Sequence, residues 1–137
     1  MAAHLEISEH SKEGITVLEL KGRLIVGEPS IMLREKVTGE LAQNHNKLIL
    51  NLADVDYIDS TGLGSMVICL TSTQKGGGAL KLANLNRRNI ELLLLTKLTM
   101  VFEVFGSEQD AVNSFFPERE IKRFDILSFV QQERERQ

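Results

Sequence analysis

The chain has 137 residues, 42% of them hydrophobic and 26% charged, the balance of a single globular domain rather than of a disordered or fibrous chain. Sixteen Lys and Arg against nineteen Asp and Glu leave a net charge of −3, which supplies no field to draw in a nucleic-acid backbone or an anionic lipid surface. The single Cys69 allows neither an internal disulfide nor a cysteine metal cluster, no charged-then-apolar leader opens the chain, and the longest apolar run, Leu92 to Leu95, is far below the roughly 18 residues of a membrane span, so a cytoplasmic protein without membrane insertion is expected.

Alternating apolar residues come first, Leu5 and Ile7, then Ile15 and Val17 after Glu13-Gly14, and they predict an antiparallel β-hairpin. Pro29, within Gly27-Glu28-Pro29-Ser30, presets a helix start, and Leu33, Val37 and Leu41 recur at four-residue spacing along one face of a first helix. The polar Gln43-Asn44-His45-Asn46 closes it. Leu48-Ile49-Leu50-Asn51-Leu52 is almost continuously apolar, the pattern of a central strand, and Asp54 to Asp59 read as a turn-rich link. Leu63, Met66, Val67 and Leu70, at i, i+3, i+4 and i+7, predict a second helix with a buried stripe, fading into Gly76-Gly77-Gly78.

Ala79 to Ala83 then reads as a strand, Asn86 to Leu95 as a third helix and Val101 to Phe105 as a short strand. Ser107-Glu108-Gln109-Asp110 resembles a capping box, opening a fourth helix with Val112, Phe115 and Phe116 on one face. Strands separated by helices argue for an α/β fold, a mixed sheet of four to five strands opened by the hairpin and covered by about four helices. The domain is expected to span residues 1–117, ending at Pro117, with residues 118–137 a C-terminal extension. In that extension Ile121, Phe124, Ile126, Leu127, Phe129 and Val130 precede a polar end and predict a short amphipathic helix, docked on its own domain rather than offered to a partner.

One segment carries chemistry, Val55-Asp56-Tyr57-Ile58-Asp59-Ser60-Thr61-Gly62-Leu63-Gly64-Ser65, which joins the central strand to the second helix. Ser60 is expected at the helix N-cap, its hydroxyl accepting from the following turn, with Asp59 close to the positive end of the helix dipole. A cap does not account for Gly62 and Gly64, each of which costs about 1 kcal/mol relative to Ala in a helix. Without Cβ atoms they are expected to leave a bare surface on which another backbone or a phosphate approaches closely, which points to docking. Phosphorylating an exposed hydroxyl there adds about −1.5 to −2 charge. The helix N-terminus would tolerate it, while Asp59, with Asp56 and Asp54 near, would face it and change what a partner meets.

The run Asp59-Ser60-Thr61-Gly62-Leu63-Gly64, preceded by Leu48-Ile49-Leu50-Asn51-Leu52 and followed by a helix, the triple-glycine turn and Leu80-Lys81-Leu82, resembles the STAS domain family, in particular its bacterial anti-sigma factor antagonists. The resemblance runs from about Leu5 to Phe116 and implies a STAS-like α/β fold and a phosphorylation-switched regulatory binding protein rather than an enzyme. It implies that Ser60 is phosphorylated by a partner that is both anti-sigma factor and serine/threonine kinase, with Thr61 a minor acceptor, and that Asp59, Ser60, Thr61, Gly62, Leu63 and Gly64 bind partners. The unphosphorylated form would bind the kinase and free a sigma factor for transcription, and a phosphatase would reset the phosphorylated form. The family's antagonists commonly carry Gly-x-Leu-Asp after the second strand, whereas Gly22-Arg23-Leu24 is followed here by Ile25, with Glu28 close enough to substitute. The other reading the resemblance allows is a STAS scaffold or interaction module in a signalling assembly or transporter complex, docking through the same loop without sigma-factor control.

Rival readings of the same residues fail on detail. In a dinucleotide-binding loop the third glycine position would not hold Val67, and an acid would lie around residue 82. Ser60 lacks a G-x-S-x-G setting, and His4, His10 and His45 sit in a hairpin and a loop without metal-ligand spacing, so they read as solvated surface residues. No catalytic residue, metal or cofactor is therefore expected. Cys69 reads as a small core residue, and Arg87-Arg88 as a solvated pair too small for a nucleic-acid patch.

Overall fold

The computed structural model describes residues 4–136. Strands β1 (Leu5–Lys12), β2 (Ile15–Leu24), β3 (Lys47–Ile58), β4 (Ala79–Ala83) and β5 (Val104–Phe105) form one sheet in the order β1-β2-β3-β4-β5. Only β1 and β2 are antiparallel, joined where Glu13 (φ 55) and Gly14 (φ 84) supply the two left-handed residues a tight hairpin needs. The other neighbours are parallel and reached through crossover helices α1 (Glu28–Ala42), α2 (Ser60–Lys75) and α3 (Arg87–Leu95). Two further helices follow, α4 (Glu108–Asn113) and α5 (Ile126–Glu135). This is the mixed α/β architecture expected: among the described residues, four helices accompany the five-stranded sheet and a fifth, α5, lies in the C-terminal extension.

The central strand explains its own composition. Leu48, Leu50 and Leu52 face α1 and α2, packing with Leu33, Val37, Leu63, Met66 and Leu70, while Ile49 faces the opposite layer with Val17, Phe105, Ala111 and Val112. A strand covered on both faces has no polar side to show. Beyond Asn51 it loses β4 as a neighbour, and its remaining pairs are with β2 alone, Asp54 with Lys21 and Tyr57 with Arg23, through two register shifts. Asp54 to Ile58 is therefore strand rather than the turn-rich link expected, and its polar residues mark a half-covered strand end.

Three other expectations change in detail. The stretch from Val101 contributes only Val104 and Phe105 to the sheet, because a 3-10 turn at Leu98–Met100 precedes it and Phe102 is drawn into the core instead. Ser107 does cap α4, accepting from Asp110 N–H at 3.1 Å, but the helix stops at Asn113 and leaves Phe115 and Phe116 beyond it. There the buried Lys81 ammonium binds the Ser114 hydroxyl at 2.9 Å and lies 4.3 Å from the Phe115 ring centre, holding the chain out of helical register. Two histidines are not simply solvated: His10 Nε2 lies 2.9 Å from a Glu108 carboxylate oxygen and His45 Nδ1 lies 3.0 Å from the buried Glu40 carboxylate. Cys69 is core, and burial pushes its thiol up to about 12.

The C-terminal helix docks on α3. Asp125 caps α5 by accepting from Ser128 N–H at 2.9 Å, Phe124 N–H reaches Val104 O at 3.1 Å, and the Phe124 and Phe129 rings pack 6.0 Å apart. Arg87 of α3 pairs with Glu133 and lies over the Phe129 ring. Leu127 stays 83% exposed on the far side. Among the described residues no helix is long and apolar enough to cross a membrane. Since Phe129 is the buried anchor of α5, Phe129→Ala is expected to abolish amide-exchange protection over residues 126–135 while protection of β2 and β3 persists; joint loss in both regions would contradict a peripheral attachment.

Candidate functional site at the start of the second helix

Asp59 organises this corner. Its backbone is extended (φ −93, ψ −179), one carboxylate oxygen accepts from Gly62 N–H at 2.8 Å, and the other accepts from Val26 N–H at 2.9 Å. Its own N–H donates to Leu24 O at 3.2 Å and its carbonyl receives Leu63 N–H at 2.9 Å. One residue thus ties the end of β2, the loop before α1 and the first turn of α2. The N-cap is Asp59, not Ser60 as the sequence suggested: its carboxylate offers a separate oxygen to each of two donors that lie in different segments, Gly62 N–H and Val26 N–H. Partial burial works against the charge, yet the backbone N–H groups of Gly62, Val26 and Thr61, helped by Arg23, hold the Asp59 carboxyl below its ordinary range.

With the cap taken by Asp59, Ser60 becomes the first residue of α2 and stands exposed at the helix mouth, with Thr61 exposed beside it. The glycines divide. Gly62 is buried, and a Cβ there would fall inside contact distance of the Leu24 carbonyl, so this glycine lets α2 pack onto its own chain rather than leaving a bare surface outside. Gly64 is exposed with nothing within 4 Å of an added Cβ. Leu63 is a core residue at 7% exposure. Of the six residues singled out from sequence, Ser60, Thr61 and Gly64 reach the surface, Asp59 is half-buried, and Gly62 and Leu63 lie inside.

Around this mouth the structure adds residues that sequence patterning passed over. Val26 and Ile68 are exposed, and Tyr57 is exposed beneath the Arg23 guanidinium, 5.6 Å from the ring centre. Ile68 carries the one readable signal, an isoleucine lying off the buried stripe of α2. Ile25 is half-buried, its carbonyl bound by the Ser30 hydroxyl at 2.8 Å, and Glu28 is exposed in the first turn of α1. Asp54 and Asp56 are exposed on the open end of β3. Two His-Glu groupings, Glu9-Glu40-His45 and His10-Glu19-Glu108, lie away from this corner, and each already contains a lysine ammonium, Lys36 at 2.7 Å from Glu9 and Lys12 at 3.8 Å from Glu108.

The STAS domain model matches residues 6–111, and the chain belongs to that family. Among curated proteins it is 40% identical, over 81 residues, to the anti-sigma-B factor antagonist of Bacillus subtilis, covering 59% of this chain and 73% of that one. Among solved structures it resembles the NMR structure of TM1081 from Thermotoga maritima, at 25% identity and a TM-score of 0.74, covering 86% of this chain and 94% of that one. It also shares the fold of the phosphorylated form of the Bacillus cell fate determinant SpoIIAA, at 17% identity and a TM-score of 0.63, covering 80% and 99% of the two chains.

The two glycines respond oppositely to the same change. Gly62→Ala is expected to cost at least about 2 kcal/mol through collision with the Leu24 carbonyl, whereas Gly64→Ala gains up to about 1 kcal/mol of helix propensity; denaturant midpoints of the pair check this. Because the folded carboxyl of Asp59 lies below the unfolded range near about 3.9, its stabilisation is complete above that range and disappears as pH falls through the lowered value. Asp59→Asn, which retains only one acceptor oxygen, is expected to lower stability at neutral pH and flatten the acid limb of an unfolding profile.

Proposed function

We propose that this protein is a phosphorylation-switched anti-sigma factor antagonist, a binding protein without catalysis of its own. In its unphosphorylated form it binds an anti-sigma factor that is also a serine/threonine kinase and so frees a sigma factor; phosphate on Ser60 ends that binding, and a phosphatase restores it. The observation that carries the reading is the exposed Ser60 side chain, left outside the cap at the first position of α2. The anti-sigma-B factor antagonist at 40% identity, and the existence of a phosphorylated SpoIIAA on the same fold, support it.

The chemistry of the switch is local. A phosphate at Ser60 would carry about −1.5 to −2 charge beside the Asp59 carboxylate, which is held ionised by its backbone donors. The fold tolerates an anion at the start of α2, since helix amides point outward there. A docked partner would instead have to cover two adjacent negative groups, and that asymmetry makes the modification a release signal rather than an unfolding one. Thr61, exposed in the same turn, is the minor acceptor. On this reading residues 1–117 are the switching domain and residues 118–137 an addition to it.

The test uses the source organism's own anti-sigma factor kinases, each purified and incubated with ATP and this protein. Phosphopeptide mapping is expected to place phosphate on Ser60; Ser60→Ala should bind the kinase without accepting phosphate, and Ser60→Asp should bind at least tenfold more weakly. Phosphate found elsewhere and absent from Ser60 would overturn the assignment.

A further inference from the structure

We propose that α5 is a reversible cover on α3 with Arg87 as its latch: the guanidinium holds Glu133 while the cover is closed and falls back on Glu91 of its own helix when α5 swings away. The inference concerns the C-terminal helix and is independent of what happens at Ser60. Phe129 is the one buried residue of α5. A single buried side chain is little to set against the entropy of ordering a ten-residue helix, so the polar contacts between α5 and α3 decide whether it stays.

Phe129 and Glu133, four residues apart, share one face of α5, and that face meets α3. Phe129 lines two hollows, one with Arg87 and Ile90 and the other with Glu91 and Leu94. The Arg87 guanidinium lies 5.9 Å from the centre of the Phe129 ring and pairs with Glu133. Ile90, only 4% exposed, borders Phe124 and Phe129 in the first hollow, so its burial depends on the extension. The linker before α5 is held by contacts of its own: Arg119 binds Glu13 at 2.6 Å, Arg123 binds Glu103 at 3.1 Å, and Phe124 N–H donates to Val104 O at 3.1 Å. The swing is therefore confined to Asp125 and the helix beyond it.

Two acids compete for the latch. Glu91 Oε1 lies 3.9 Å from Arg87 Nε one turn back on α3, and the Glu91 carboxyl also meets that of Glu133, a contact that pushes the Glu91 carboxyl up. Glu133 is faced from α3 by Arg87 and Glu91, with Arg88 acting on Glu91, and from its own helix end by Arg136 at 3.7 Å. Because closure raises the Glu91 carboxyl, its contribution to closure is complete below the ordinary range near about 4.3 and fades as pH rises through the raised value. At neutral pH closure rests on Arg87 against both acids, all three partly exposed and open to screening by salt. When α5 leaves, Arg87 keeps Glu91, and the Ile90 and Leu94 side of α3 is uncovered.

Amide exchange of the full chain at neutral pH reads the cover, with protection of β2 and β3 as the folding check. Arg87→Ala is expected to lower protection over residues 126–135 at least tenfold. Glu91→Gln should raise it at least twofold, since Arg87 is then left to Glu133 and the new amide donates to that carboxyl. The exchanged pair, Arg87→Glu with Glu133→Arg, should return protection to within threefold of the parent. Sodium chloride at about 1 M, where the screening length is about 3 Å, should lower the parent's protection at least threefold and that of Arg87→Ala less than twofold. Ile90→Cys reports the uncovering: its alkylation should run at least fivefold faster when combined with Arg87→Ala, while the buried Cys69 stays silent. Protection of α5 within twofold of the parent in Arg87→Ala, or lowered in Glu91→Gln, overturns the latch. Equal alkylation of Ile90→Cys with and without Arg87→Ala overturns the cover.

Discussion

The corner depends on one carboxylate accepting two backbone N–H groups from segments far apart in the chain. Asp59 binds Gly62 within α2 and Val26 in the loop that follows β2, and its own amide returns to Leu24. Each bond satisfies a donor or acceptor that a strand end or a helix start would otherwise leave open. Together they fix how α2 rises from the sheet and where the loop before α1 lies against it. Removing the charge would loosen both, which is why this residue belongs to the architecture as much as to the surface.

That constraint also separates structural from exposed chemistry at adjacent positions. Gly62 brings the helix backbone against the Leu24 carbonyl, and Leu63 fills the core between α2 and the sheet. Ser60, Thr61 and Gly64 are pointed outward by the same helix turn. A modification at the first set would disturb packing, whereas one at the second meets only solvent or a partner. A signalling protein needs such a division if covalent change is to alter binding without altering the fold.

Much of the frame was legible in the linear pattern. The hairpin, the unbroken apolar run of β3, the i, i+3, i+4, i+7 stripe of α2 and the amphipathic character of α5 are all local periodicities, and local periodicity follows from the geometry of a strand or a helix. What escaped were features decided by neighbours. Asp54 to Ile58 looks like a turn until β2 is seen to pair with it, and Phe115 leaves its helix because Lys81, 34 positions earlier, takes hold of Ser114 and stacks on the ring. His10 and His45 look solvated until Glu108 and Glu40 arrive from other elements.

The candidate site divides along the same line. Residue order alone determined that a hydroxyl, an acid and two glycines would meet where a central strand becomes a helix, because adjacency along the chain is adjacency in space at a strand-to-helix turn. Only the tertiary structure decided which side chain caps the helix, which glycine is buried against Leu24, and that Val26 and Ile68 stay exposed. Those outcomes turn on Val26 and Leu24, more than 30 residues upstream, and are set by packing between segments that no periodicity connects.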